Sequence, residues 1–138
     1  MLQMAMSYIF FKMNRTDLER NLAKGNLFGF QTKNDDDIIG WILLKKHYPI
    51  HRFFEFVTEK EDPIAYKAQV EIRDQPYRLH IEEIKRAAYE NDDSYPTEDD
   101  YLLSHHLSFK DLDGVANFLS TIGLNVEDIK WASDILFL

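Results

Sequence analysis

The apolar residues of this chain come in short segments, and this pattern limits the folds that it can adopt. The longest apolar run covers residues 38–44 and is interrupted by Gly40. A membrane-spanning helix needs about 20 consecutive apolar residues, so we expect no transmembrane segment. A chain of 138 residues that is 45% hydrophobic can still bury a substantial core, assembled from several short elements. We therefore expect one domain over residues 1–138.

Several segments have the β-branched, aromatic or alternating composition that is typical of strands. They are residues 7–12, 52–57, 65–73, 77–81 and 101–109. In the third, Val70 and Ile72 alternate with charged neighbours, and the turn that follows it predicts a hairpin with residues 77–81.

Other segments predict helices. Thr16 and Glu19 have capping-box spacing before residues 17–24, and Gly25 is placed to end that helix. We read residues 36–47 as a buried helix, although the same apolar run also fits a fully buried strand. Further helices are predicted over residues 82–91 and from two apolar stripes. The first stripe, with Ser108 or Asp111 as its cap and Gly123 as its end, is Leu112, Val115, Ala116, Leu119 and Ile122; the second, capped by Asn125, is Val126, Ile129, Ala132 and Leu136. Together these elements predict an α+β fold, an antiparallel sheet of about four to five strands with helices packed on one face.

The negative charge of the chain is concentrated in its second half. Residues 1–69 carry a net charge of +1 and residues 70–138 a net charge of −9, for a total of −8 and a pI near 5.0. Binding to nucleic acid phosphates requires a basic surface, so direct nucleic-acid binding is not expected. Within residues 82–100, eight acidic residues stand against Lys85 and Arg86, and Tyr89, Tyr95 and Tyr101 are interleaved with them.

Motifs for catalysis or cofactor binding are missing from the sequence. There is no cysteine, which excludes disulfides, thiolate zinc sites and cysteine nucleophiles. The five glycines form neither a GxGxxG motif nor a P-loop, and no GxSxG or SxxK motif offers an activated serine. We therefore assign no catalytic residue and no cofactor. The N-terminus lacks a signal-peptide pattern, and we expect a cytoplasmic location.

Metal binding has some weak support in the sequence. His47 and His51 have helical ligand spacing, but Pro49 stands between them, and the adjacent His105 and His106 would point to opposite faces of a strand. Carboxylates in residues 82–100 suit calcium, but no glycine marks the sharp turn of an EF-hand loop. The last candidate set is the nuclease-like arrangement of Asp74, Glu83 and Lys85. Because such spacings arise readily in a charged chain, we assign no metal ligand.

The hypothesis that best fits the charge is a non-enzymatic module that binds a basic protein. Carboxylates would steer such a partner, and tyrosine rings would supply desolvated contact area. A nuclease needs a cationic cleft, so we favour a bacterial immunity protein or antitoxin that neutralises a nuclease-type toxin. The expected contacts are Tyr89, Glu90, Asp92, Asp93, Tyr95, Glu98, Asp99, Asp100 and Tyr101.

Three alternatives stay open at this stage. Residues 82–100 can form a solvated loop that only keeps the protein soluble. The chain can be a small metal-dependent hydrolase or nuclease, which would require His105, His51 or His80 to converge with acids. It can also be a structural subunit in which residues 131–138 pack on a second copy.

Overall fold

A five-stranded antiparallel sheet forms the centre of the fold. The computed structural model describes residues 12–47, 58–91 and 93–135. Its strands are β1 (Phe28–Asn34), β2 (Ile38–Lys46), β3 (Tyr77–Lys85), β4 (Tyr101–Phe109) and β5 (Lys130–Trp131), in the spatial order β4-β3-β2-β1-β5. Every paired neighbour is antiparallel. The sheet and its helices confirm the predicted α+β class.

Within the described ranges, four α-helices and three short 3₁₀ turns accompany the sheet. The helices are α1 (Arg15–Ala23), α2 (Pro63–Asp74), α3 (Arg86–Tyr89) and α4 (Leu112–Thr121). The 3₁₀ turns are Glu98–Asp100, Val126–Asp128 and Ala132–Asp134. In the part of the chain that the structure describes, every helix is too short or too polar to cross a membrane.

The main core lies between one face of the sheet and the helices α1 and α4. Its fully buried side chains include Leu18 and Leu22 of α1, and Val115 and Leu119 of α4. The sheet contributes residues from three adjacent strands to this core. They are Phe28, Phe30, Ile42, Leu44, Tyr77 and Leu79. The helix α2 contacts the opposite face, where Glu71 lies 3.4 Å from both Arg78 and Ser108.

A second, smaller core lies on that opposite face. It comprises Ile39 and Trp41 of β2, Ile84 of β3 and Ile135 after the last 3₁₀ turn. The strand β2 is therefore buried on both faces, because its odd-numbered and even-numbered side chains enter different cores. Trp131 is placed on β5 with its ring 4.5 Å from that of Phe28. Trp131 and Ile135 thus pack within their own chain, and residues 136–138 lie outside the described residues.

The predicted helix over residues 36–47 is wrong, and the strand alternative is correct. Burial on both faces leaves no polar side chain over residues 38–44 of β2, which removes the two-residue alternation of a half-buried strand. The acidic residues before it belong to a tight turn. Asp35 accepts hydrogen bonds from the backbone N–H groups of Asp37 and Ile38, at 3.0 and 2.8 Å.

The predicted strand over residues 65–73 is wrong as well, because these residues belong to α2. Asp62 caps the helix by accepting a hydrogen bond from the Ala65 N–H at 3.1 Å, and Pro63 occupies the first turn. A capping Asp followed by Pro is a strong start signal that outweighs a short alternation. With this strand gone, the predicted hairpin is also absent, and β3 pairs with β2 and β4.

Two further helix predictions were too long. Residues 82–91 continue β3 as far as Lys85, and only the single turn of α3 follows. The second apolar stripe forms two 3₁₀ turns separated by β5, although Val126, Ile129 and Ala132 are buried as expected. Asn125 does act as a cap, since it accepts a hydrogen bond from the Glu127 N–H at 3.0 Å.

The remaining predictions that can be checked are largely confirmed. The helix α1 ends at the positive-φ Gly25, although its cap is Asn14 and not Thr16. The strand over residues 101–109 is β4, and the first apolar stripe is α4, capped by Asp111. Ile122 of that stripe is 48% exposed and lies outside the core. The predicted strands at 7–12 and 52–57 lie outside the described residues, apart from Lys12.

Gly29 allows a close backbone approach between β1 and β2. A Cβ at this position would lie 2.2 Å from the carbonyl oxygen of Ile42, whereas a Cβ at Gly114 in α4 would meet only ordinary contacts. We expect Gly29→Ala to lower the free energy of unfolding by about 1–3 kcal/mol. The control Gly114→Ala should raise it by up to about 1 kcal/mol, because alanine favours the helix. Urea denaturation of both variants tests this, and equal stabilities would contradict the close packing at Gly29.

Candidate functional site

One end of the sheet gathers acidic residues from two separate parts of the sequence. The β1–β2 turn at residues 35–37 lies beside the end of β3, because Ile38 pairs with Lys85. The start of β4 lies at the same end, because Ile84 pairs with Tyr101. We call residues 35–37 together with the segment 90–100 the acidic end. These two segments hold nine Asp and Glu residues and no Lys or Arg.

Arg86 joins the two halves of the acidic end. Its Nε donates to the backbone carbonyl of Asp35 at 2.6 Å, and one terminal nitrogen donates to the Glu90 carboxylate at 2.8 Å. The other terminal nitrogen donates to the side chain of Asn34, and the Arg86 backbone N–H donates to the carbonyl of Asp37. A planar guanidinium can serve several acceptors at once in a fixed geometry. Arg86 therefore holds the β1–β2 turn against the start of segment 90–100.

Backbone donors favour the charged form of one acid in the turn. Hydrogen bonds from the N–H groups of Ile38 and Asp37 lower the pKa of Asp35 below its usual value. Carboxylates that accept backbone hydrogen bonds are stabilised as anions. The charge at this turn is thus retained at neutral and mildly acidic pH.

The other carboxylates of the acidic end divide into two groups. Glu90 is paired with Arg86, and Asp100 caps the 3₁₀ turn by accepting hydrogen bonds from Thr97. The second group is exposed and forms no ion pair with any described residue. It comprises Asp36, Asp37, Asp93, Glu98 and Asp99. Asp92 lies outside the described residues. The exposed carboxylates are the ones available to a partner.

The three tyrosines in and beside segment 90–100 have different environments. Tyr89 packs against Trp41 with ring centroids 6.4 Å apart, and Tyr101 packs against the same smaller core. Burial raises the pKa of both phenols. Tyr95 is 94% exposed, and Leu102 at the start of β4 is 50% exposed. Tyr95 is therefore the tyrosine that is free to contact a partner, whereas the other two support the sheet.

A different set of polar residues meets on the sheet face that carries the smaller core. His80 of β3 lies directly opposite His106 of β4, and their stacked rings are 4.1 Å apart. Glu82, two residues along β3, lies 4.0 Å from His80 Nδ1 and 3.8 Å from His106 Nε2. These three ligand atoms all lie within 4.8 Å of one another. Sequence analysis missed this group because the expected helix over residues 82–91 separated Glu82 from the strand.

The other candidate ligands are not brought together. His105 pairs with Ile81 and alternates with His106, so it lies on the other face of the sheet. Asp74 ends α2 beside Arg73, whereas Glu83 lies near the far end of β3 and pairs with Lys33. The nuclease-like arrangement of Asp74, Glu83 and Lys85 is therefore not formed. His51 lies outside the described residues, so the structure does not test the spacing of His47 and His51, to which no metal role was assigned.

Comparison with protein-family models, curated proteins and solved structures found no match to this chain. Its function has to be inferred from the chemistry of its own surfaces.

The contacts of Arg86 predict a specific effect of replacing it by lysine, which keeps the charge but loses the forked donors. We expect Arg86→Lys to lower the free energy of unfolding by about 1–3 kcal/mol. Hydrogen exchange at residues 35–37 should become faster. Arg73 is the control, because it is exposed and its ion pair among the described residues is with its neighbour Asp74. Exposed pairs of this kind contribute little, so Arg73→Lys should change neither measurement. Similar effects of both substitutions would contradict the role of Arg86.

Proposed function

We propose that this chain is a non-enzymatic binding protein whose acidic end binds a basic protein. The proposal rests on the hydrogen bonds and the ion pair by which Arg86 holds residues 35–37 beside segment 90–100. The sequence does not reveal that the two segments are neighbours, because about fifty residues lie between them. A surface with one sign of charge attracts partners of the opposite sign and accelerates their encounter. The exposed carboxylates therefore favour a cationic partner.

Tyr95 supplies the contact area that charge alone lacks. Protein interfaces depend on a few aromatic or arginine side chains that become fully desolvated, and the surrounding polar residues contribute less. The ring of Tyr95 is almost completely exposed within the acidic end, and Leu102 adds apolar surface at the start of β4. A ring surrounded by carboxylates suits a partner that offers an apolar pocket bordered by Lys or Arg.

The specific partner that we propose is a nuclease-type toxin, neutralised by this chain as an immunity protein or antitoxin in the bacterial cytoplasm. Nucleases bind phosphates with clusters of Lys and Arg, and such clusters are complementary to the acidic end. Binding can cover the cleft itself or a basic patch beside it. The first partner to test is the product of the gene immediately upstream, which the proposal expects to contain a basic nuclease-like domain.

The exposed acids predict how this binding depends on charge. In the double variant Glu98→Gln/Asp99→Asn, association with the nuclease domain should slow by roughly three- to tenfold at low salt. The salt dependence of the association rate should also become weaker. The control Asp113→Asn/Glu127→Gln removes two exposed acids outside the acidic end and should change the rate by less than about twofold. Stopped-flow association at two ionic strengths measures both. Equal slowing in the two variants would contradict the proposed surface.

Tyr95 predicts a loss of affinity without a loss of stability. We expect Tyr95→Ala to weaken binding of the same nuclease domain by about 2 kcal/mol, chiefly through faster dissociation. Its urea midpoint should match that of the wild-type chain, because the ring is exposed. Ile64→Ala is the control, since Ile64 is 84% exposed but lies in α2. Surface plasmon resonance separates the two rates, and an unchanged dissociation rate for Tyr95→Ala would exclude this anchor.

A further inference from the structure

We infer that His80, Glu82 and His106 form a binding site for a divalent transition metal ion of the zinc class. The three residues come from two adjacent strands, and their side chains point to the same face of the sheet. Two imidazole nitrogens and one carboxylate oxygen are a ligand set that zinc accepts. The site shares no residue with the acidic end, and the inference does not depend on the proposed partner.

The distances fit such an ion after a small adjustment. Tetrahedral coordination with bonds of about 2.1 Å places ligand atoms roughly 3.4 Å apart. The two distances from Glu82 are 3.8 and 4.0 Å, a few tenths of an ångström longer. The His106 side chain is 54% exposed and has room to rotate, whereas His80 and Glu82 are 20% and 17% exposed and are held by the strand. Two fixed ligands and one adaptable ligand can close around an ion.

The surroundings of Glu82 support the same conclusion. This carboxylate, whose side chain is 17% exposed, has no Lys or Arg within ion-pair distance among the described residues, and the groups within 4.0 Å that can carry a positive charge are the two histidines. A buried charge is costly unless it is paired. A bound cation would supply the missing positive charge. Leu43 and Trp41 on β2 lie beside His80 and Glu82 and limit the access of water from that side.

The chemistry of the ligands selects the class of metal. Calcium and magnesium prefer sites made of oxygen atoms, and imidazole ligands favour zinc, copper, nickel or cobalt. Three protein ligands leave one position of a tetrahedral ion for water or for a group of another molecule, as catalytic zinc sites do. His80 thus lies beside one acid, Glu82, whereas His105 lies on the opposite face of the sheet.

Calorimetric titration of the full, untagged chain with zinc chloride at pH 7 tests the site. We expect one zinc ion per chain, and at least roughly tenfold weaker binding in His106→Gln and in Glu82→Gln. The matched control is His105→Gln, the neighbouring histidine on the opposite face, which should bind within about twofold of wild type. His106→Gln removes an exposed side chain, so its urea midpoint should stay close to that of the wild type.

Cobalt provides a second readout that reports geometry. Titration with cobalt chloride should give the intense visible absorption of a four- or five-coordinate ion in the wild-type chain and in His105→Gln, and should not give it in His106→Gln. No saturable zinc uptake, unchanged affinity in His106→Gln, or equal weakening in His105→Gln would each overturn the site. None of these results bears on the acidic end, so failure here is distinguishable from failure of the proposed function.

Discussion

The nine-residue strand β3 is the element on which the rest of the structure depends. It pairs along its whole length with β2 on one side and almost continuously with β4 on the other. This register places Leu79 in the main core and Ile84 in the smaller one. It also places His80 opposite His106 and brings Arg86 to the β1–β2 turn. A shift by one residue would move every side chain of the strand to the other face. Both surfaces with functional potential thus follow from a single pairing register.

The acidic end and the group around Glu82 differ in how far their carboxylates are exposed to water. The carboxylates of the acidic end are exposed to water, so their charges carry little desolvation cost. Together they attract a partner over roughly a Debye length. The group around Glu82 removes a carboxylate from water, where its interactions are stronger and its need for a positive partner is greater. Arg86 stabilises the acidic end and offsets one of its nine negative charges through its ion pair with Glu90. The net charge of the exposed carboxylates stays available.

Local signals in the sequence predict part of this fold. Caps and glycine stops define α1 and α4, and alternation defines β4, because these signals depend on neighbouring residues alone. The run that forms β2 was wrongly predicted as a helix, since burial on two faces erases the alternation of a strand. The composition of the sequence reveals the acidic residues of segment 90–100. Their proximity to residues 35–37 could not be predicted, because this proximity depends on strand pairing across the sheet. The same holds for His80, Glu82 and His106, whose meeting requires the register of β3 with β4.

Binding of a basic partner at the acidic end can be tested by hydrogen exchange of this chain, alone and in complex with the nuclease-like domain encoded upstream. We expect slower exchange in the complex at residues 35–37 and 93–100, with α4 and the strand segment around His106 unchanged. Protection confined to α4 or to the His106 face, with the acidic end unaffected, would contradict it.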